Sequence, residues 1–364
     1  MKNFLARKKV WLGLSLSIGV ICSAVQGQAN DSAEDARRYI RSAKTPIVNF
    51  HQILRKVAIR DNVNVDVHVQ VIAKLKCWGR GKTLLAVHGL GHTAATYENL
   101  AKELLEKNKK CDDVTRIVAL DLPGHGRSTG PDGQIRYGDM GLQDYATALN
   151  NSIDRLRRQD LGPNLLLAHS MGGVVTQLAQ KQLLEQRKSL AQKGIREVFL
   201  LASSMPLPLA WQFADSGAAA QTAANFIVQD AVLGTYLQVP TPFWLGLFFT
   251  NFSQQFVAGT PTPAEVEARK YISTEPFFAG ADLLRIPGFN TPQIPAGIFA
   301  KKNGSRFTMI SAEQDVTVQV SEQKELYKHL TGDNTLKSFN LITGDQAIHD
   351  IYITNPAALA PLLH

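Results

Sequence analysis

The stretch Leu165-Leu166-Leu167-Ala168-His169-Ser170-Met171-Gly172-Gly173 decides the fold. A short apolar run of the buried-strand kind passes straight into a helical pattern, with a serine in the turn between them. Small residues stand two before and two after that serine, where larger side chains would meet neighbouring backbone. Such a turn holds the serine hydroxyl clear of the sheet and places the next residue's N–H at a helix N-terminus. A G-x-S-x-G pattern alone is weak; the strand before it and the helix after it make it informative. Ala168 stands where the first glycine would be. The plainer alternative is a serine that only caps its helix.

On either side, strands and helices alternate. Val57–Arg60 and Val63–Leu75 carry period-2 patterns around an Asp61-Asn62 turn, which predicts an antiparallel pair at one sheet edge. Thr83–Val87, Arg116–Leu120 and Val198–Ala202 read as further buried strands, and Tyr97–Lys107, Leu142–Arg158 and Gly172–Gln192 as helices. The pattern resumes with a strand at Phe307–Ile310, a helix at Glu322–Leu330, a strand at Leu336–Ile342 and a helix at Pro356–Leu363. This rhythm predicts an α/β fold with a mainly parallel central sheet flanked by helices. Between the two halves the composition changes. Met205 to Ala264 holds only Asp215 and Asp230 as charges, and 15 of the chain's 28 aromatic residues fall between 204 and 304. That block reads as an inserted, mostly helical lid.

The start of the chain reads as an address. Lys2, Arg7, Lys8 and Lys9 precede a 13-residue apolar run from Val10 to Cys22, and Gly27-Gln28-Ala29 supplies small residues for cleavage. This is the layout of a secretory signal peptide; a bilayer span takes about 20 apolar residues. A lipoprotein site at Cys22 is disfavoured by the bulky Ile21 before it. The expected organisation is therefore a signal peptide over 1–29, a core over 30–203, the lid over 204–304 and the rest of the core over 305–364. Export places the mature protein in a periplasmic or extracellular setting, with no stable membrane span. Of 364 residues, 45% are hydrophobic and 19% charged, which describes a folded globular chain. The net charge of +8 falls to +4 from residue 30 onward, without the basic stripe and interleaved aromatics of a nucleic-acid surface. Neither CxxC nor HExxH occurs and the nine histidines are scattered, so no metal site is expected.

His88-Gly89-Leu90-Gly91-His92, Asp121-Leu122-Pro123-Gly124-His125-Gly126-Arg127-Ser128 and AHSMGG at 168–173 complete the pattern. In this order they resemble motifs of the α/β-hydrolase fold family, specifically its lid-bearing esterase and lipase-like members. The resemblance implies a chain order of Ser, Asp, His. Ser170 would be the nucleophile, activated by a base because a serine hydroxyl is unreactive near neutral pH. His349, between the last strand and the last helix, would be that base. His88 and His125 belong to motif turns, His169 flanks the serine, and His329 lies mid-helix. Asp315, after the strand at Phe307, would orient the imidazole, with Glu313 as the alternative and a loop-capping aspartate as the structural reading. Backbone N–H groups of Met171 and, by resemblance, Leu90 would form the oxyanion hole. Asp121 and His125 would hold their loop.

The expected activity is therefore that of an exported serine hydrolase, without cofactor, acting on small carboxylic esters with an apolar acyl or alcohol part. Trp244 and Phe248 would line the substrate site. Thioester or amide hydrolysis, acyl transfer and C–C bond hydrolysis stay open on the same triad, as does a non-catalytic binding protein on this scaffold. The family's strand order also makes the strands at Thr83 and Arg116 parallel neighbours, which would bring Cys77 and Cys111 together as a disulfide.

Overall fold

A computed structural model describes residues 47–131, 140–204, 293–315 and 318–363. The expected signal peptide, nearly all of the lid, and with it Trp244 and Phe248, lie outside the described residues. Eight strands form one sheet: β1 (Ile47–Arg60), β2 (Val63–Lys74), β3 (Lys82–Val87), β4 (Val114–Leu120), β5 (Leu165–His169), β6 (Glu197–Leu201), β7 (Arg306–Ala312) and β8 (Phe339–Ile342). Their spatial order is β1-β2-β4-β3-β5-β6-β7-β8. β1 with β2 and β2 with β4 are antiparallel, and every other neighbouring pair is parallel. The family's strand order and the antiparallel edge are both as expected from the sequence.

The central strands are apolar throughout because both faces are covered. Leu85 and Val87 of β3, Leu166 and Ala168 of β5, and Val198 and Leu200 of β6 share one core. On that face lie α2 (Leu142–Arg158), α3 (Met171–Glu185) and α4 (Val320–Thr331). The alternate residues Leu84, Ala86, Leu165, Leu167, Phe199 and Leu201 share the other core. It is covered by α1 (Glu98–Lys107), α5 (Ile351–Thr354) and α6 (Pro356–Leu359). Residues i, i+3 and i+4 of α2 supply Tyr145, Ala148, Leu149, Ile153 and Leu156 to its buried face. Asp144 in its first turn accepts from Gly141 N–H at 2.8 Å and pairs with Arg60 of β1, which ties the edge strand to the helix.

Four elements depart furthest from the sequence reading, the others by a residue or two at their ends. β1 starts at Ile47 rather than Val57, because a bulge between Leu54 and Val57, with Lys56 at φ 50°, breaks the period-2 pattern. α3 stops at Glu185 instead of Gln192: Arg187 takes φ 58° and Lys188 N–H turns back to Leu183 O at 2.8 Å. Leu336, at φ 54°, delays β8 to Phe339. The last expected helix is two short helices and a 3₁₀ turn, Ala360–Leu362, with Pro356 and Pro361 setting the breaks.

Cys77 and Cys111 are joined by a disulfide, with Cα atoms 5.3 Å apart. They precede β3 and β4, which pair in parallel from Lys82 and Val114. The bridge therefore sits at the N-terminal end of these strands, opposite the end that carries Ser170.

Candidate active site

The carboxyl ends of β3, β4, β5, β6 and β7 deliver His88, Asp121, Ser170, Ser203 and Asp315 to one edge of the sheet. Ser170 occupies the turn between β5 and α3 with φ 50° and ψ −120°, a backbone region that costs a non-glycine residue roughly 1–3 kcal/mol. Its N–H donates to Leu201 O of β6 at 3.1 Å, and Gly173 N–H donates to its carbonyl at 2.9 Å. A Cβ on Gly172 would lie 2.5 Å from the carbonyl oxygens of Val87 and His88, so the helix can approach β3 this closely only with glycine there. That approach brings the loop after β3 against the serine: a Cβ on Gly89 would lie 3.0 Å from Ser170 Cβ. Leu90 follows Gly89 in that loop, and Met171 follows Ser170 as the first residue of α3, where the opening N–H has no partner within the helix.

His349 lies in the loop between β8 and α5 and is buried. Its Nδ1–H donates to Asp315 Oδ2 at 2.8 Å. Asp315 is fixed in turn, with Val318 N–H donating to Oδ1 at 2.8 Å and its own N–H reaching Ala312 O at 3.2 Å. Glu313 is exposed and accepts instead from Gly344 N–H at 3.1 Å, so the structure brings Asp315 rather than Glu313 to the imidazole. Burial alone would lower the His349 pKa. The charge and hydrogen bond of Asp315, helped by the charge of Asp350, outweigh that and raise it above its ordinary 6.5. With Nδ1 committed to Asp315, any proton His349 takes from a serine goes to Nε2.

The other histidines at this edge are tied to backbone. His88 Nδ1–H donates to Gly89 O at 2.8 Å while Leu122 N–H donates to its Nε2 at 3.0 Å. His125 reaches Pro123 O, and His329, near the end of α4 and beside the segment that leads into β7, reaches Ile294 O away from this edge. Asp121 accepts from Ala94 N–H, Arg127 N–H and His68, which matches the expected loop-holding part and links the loops after β3 and β4.

Three residues were not singled out by sequence reasoning as a group. His92, His169 and Asp350 are buried together behind His349, and their polar atoms lie within 4.8 Å of one another. Asp350 sits 3.6 Å from His92 Nε2 and 3.5 Å from His169 Nε2, and burial pushes its carboxyl up to about 7. His169 Nε2–H already donates to His349 O at 3.0 Å, so it cannot offer a lone pair to a cation there. The group is a buried polar cluster in which burial holds both histidines neutral, and His169 braces the His349 backbone. Ser204 was also missed: its hydroxyl stands 3.2 Å from Ser170 Oγ. Dispersed in sequence, these residues carry no spacing signal.

A family model described as "Alpha/beta hydrolase family" matches residues 84–359. The chain is 33% identical over 99 residues to (E)-2-((N-methylformamido)methylene)succinate hydrolase of Acinetobacter baylyi, a match covering 27% of this chain and 32% of that relative. Among solved structures it is similar to a hydrolase from Pseudomonas aeruginosa, with a TM-score of 0.56, 17% identity and coverage of 86% of this chain and 96% of the other. It also resembles a thermophilic esterase from Thermogutta terrifontis, with a TM-score of 0.54, 14% identity and coverage of 86% and 96%. At these identities the structural matches speak for the fold, which agrees with the eight-stranded sheet and its order. The chain belongs to the alpha/beta hydrolase family.

Proposed function

We infer that the protein is an exported serine hydrolase of carboxylic esters with an apolar acyl or alcohol part. The observation that carries this is the buried His349–Asp315 pair at 2.8 Å, at the same sheet edge as a serine held at φ 50° in a strand-to-helix turn. Ser170 Oγ attacks the acyl carbon as its proton passes to His349 Nε2. Asp315 holds the ring in the Nδ1–H tautomer and stabilises the imidazolium. The N–H groups of Leu90 and Met171 receive the oxyanion. His349 then protonates the leaving alcohol, and water, activated by the same histidine, releases the acyl group. Export rests on the first 29 residues, and a Cys77–Cys111 bridge suits an oxidising compartment.

Apolar specificity rests on residues 205–264, with two charges in that whole length and Phe243-Trp244-Leu245-Gly246-Leu247-Phe248-Phe249 within it. Each methylene buried against such a wall contributes about 0.8 kcal/mol. Turnover of p-nitrophenyl esters of increasing acyl length tests this. The value of kcat/KM should rise across short-to-medium chains, and Trp244→Ala should flatten that rise more than it harms acetyl ester hydrolysis. A flat or falling profile would show that the aromatics do not bind substrate. The succinate-derived substrate in the Acinetobacter relative's name points to a more polar specificity, but the match spans only about a third of that protein.

A further inference from the structure

Ser170 does not meet its neighbours alone. β6 ends at Leu201, and the two residues beyond Ala202 turn back over the start of α3. Ser203 there is clamped on its backbone by one buried side chain: Gln323 Nε2–H donates to its carbonyl at 2.5 Å, and its N–H donates to Gln323 Oε1 at 3.1 Å. Gln177 of α3 holds the Ser203 hydroxyl at 3.1 Å. A Cβ on Gly173 would lie 2.0 Å from that hydroxyl oxygen, so only glycine admits this packing of chain on helix. The clamp fixes the next residue. Ser204 N–H donates to Ser170 O at 3.1 Å, and Ser204 Oγ lies 3.2 Å from Ser170 Oγ. Two glutamines and a glycine, all buried, thus hold one hydroxyl against the nucleophile position.

We propose that Ser204 is a further catalytic residue, whose hydroxyl donates a hydrogen bond to Ser170 Oγ throughout the reaction. This rests on Ser170 being the nucleophile. A hydroxyl pair has two possible directions, and they differ in consequence. If Ser170 donated to Ser204, its proton would point away from the base. With Ser204 as donor, the Ser170 proton is left to His349 Nε2, and the oxygen that develops charge is stabilised.

In acylation the Oγ–C bond forms, the Ser170 proton passes to His349 and the carbonyl π pair moves onto the oxyanion. That pair then re-forms the carbonyl as the bond to the leaving alcohol breaks, and the alcohol oxygen takes the proton from His349. In deacylation a water oxygen bonds to the same carbon and gives a proton to His349. The C–Oγ bond then breaks with its electron pair on Oγ, which takes that proton back. Ser204 keeps its own proton in both steps and donates to Oγ each time charge builds there. Because the bond serves departure as well as attack, both half-reactions should slow together when it is removed.

Ser204→Ala and Ser204→Thr are the variants, read by fluorophosphonate labelling rate at Ser170 and by steady-state hydrolysis of p-nitrophenyl butyrate. The alanine variant should lose about tenfold in labelling rate, in kcat and in kcat/KM alike, with KM and the acid limb of the pH profile unmoved. Threonine, which keeps the hydroxyl, should recover most of the loss. Wild-type rates in the alanine variant would overturn the proposal, as would a threonine variant no faster than alanine. If the wild-type protein is not labelled at Ser170 at all, the nucleophile assignment itself falls, an outcome distinct from a labelled protein indifferent to Ser204.

Discussion

Acidification should destabilise the fold through His88, by an amount that one substitution can isolate. His88 is fully buried, and its Nε2 accepts from Leu122 N–H, so the folded protein requires the neutral ring. Burial, then repulsion from His125, hold its pKa at about 3 against an ordinary 6.5. Between those values the unfolded chain binds a proton that the folded chain refuses. The stability is therefore full above 6.5 and lost as pH falls towards 3. At about pH 5 the loss from His88 alone is about 2 kcal/mol. His92 and His169, held low by burial, add with the same sign. His349, with a raised pKa, opposes them. In His88→Gln an amide oxygen can accept from Leu122 N–H without titrating. Urea unfolding at about pH 7.5 and pH 5 should show the variant losing about 2 kcal/mol less than wild type over that interval. Whatever the substitution costs at the higher pH cancels in the difference. Equal losses in the two proteins would refute the reasoning.

Opening the Cys77–Cys111 bridge, which spans 34 residues of sequence, should cost about 4 kcal/mol by chain entropy. Urea unfolding of the Cys77→Ala/Cys111→Ala protein checks this, and kcat should hold because the bridge lies at the far end of the sheet; an unchanged midpoint would contradict it. Asp350→Asn removes one of the charges that raise the His349 pKa, so the acid limb of kcat/KM should move to lower pH. An unmoved limb would show that the Asp350 charge does not reach the base.

The sheet was legible because its middle strands are short apolar runs with helical patterns between them, and because both faces of Leu84–Val87 and Leu165–Ala168 are buried. The turn at Ser170 was legible because an apolar strand, a serine flanked by small residues and a helical pattern follow one another directly in sequence, although the close approach that demands glycine at 172 is to Val87 and His88 of a distant strand. Asp315 and His349 lie 34 residues apart, and it was the chain order Ser, Asp, His implied by the family resemblance that pointed to the loops after the strands at Phe307 and Leu336. What the sequence hid depends on tertiary contact. Nothing in the spacing of Ser204, Gln177 and Gln323 foretells a clamp that closes only when β6, α3 and α4 pack. His92 and Asp350 meet across 258 residues. Lys56, Arg187 and Leu336 adopt positive φ without the glycine that would have marked a break, which is why three boundaries moved.

The most direct measurement is covalent labelling of the purified protein with a fluorophosphonate probe, the modified residue being mapped by mass spectrometry. The expected result is one adduct, on Ser170, absent from Ser170→Ala and slowed by orders of magnitude in His349→Ala, with ester turnover lost in parallel. An adduct on another residue, or ester turnover that survives Ser170→Ala, would contradict the assignment of Ser170, His349 and Asp315 as one catalytic unit.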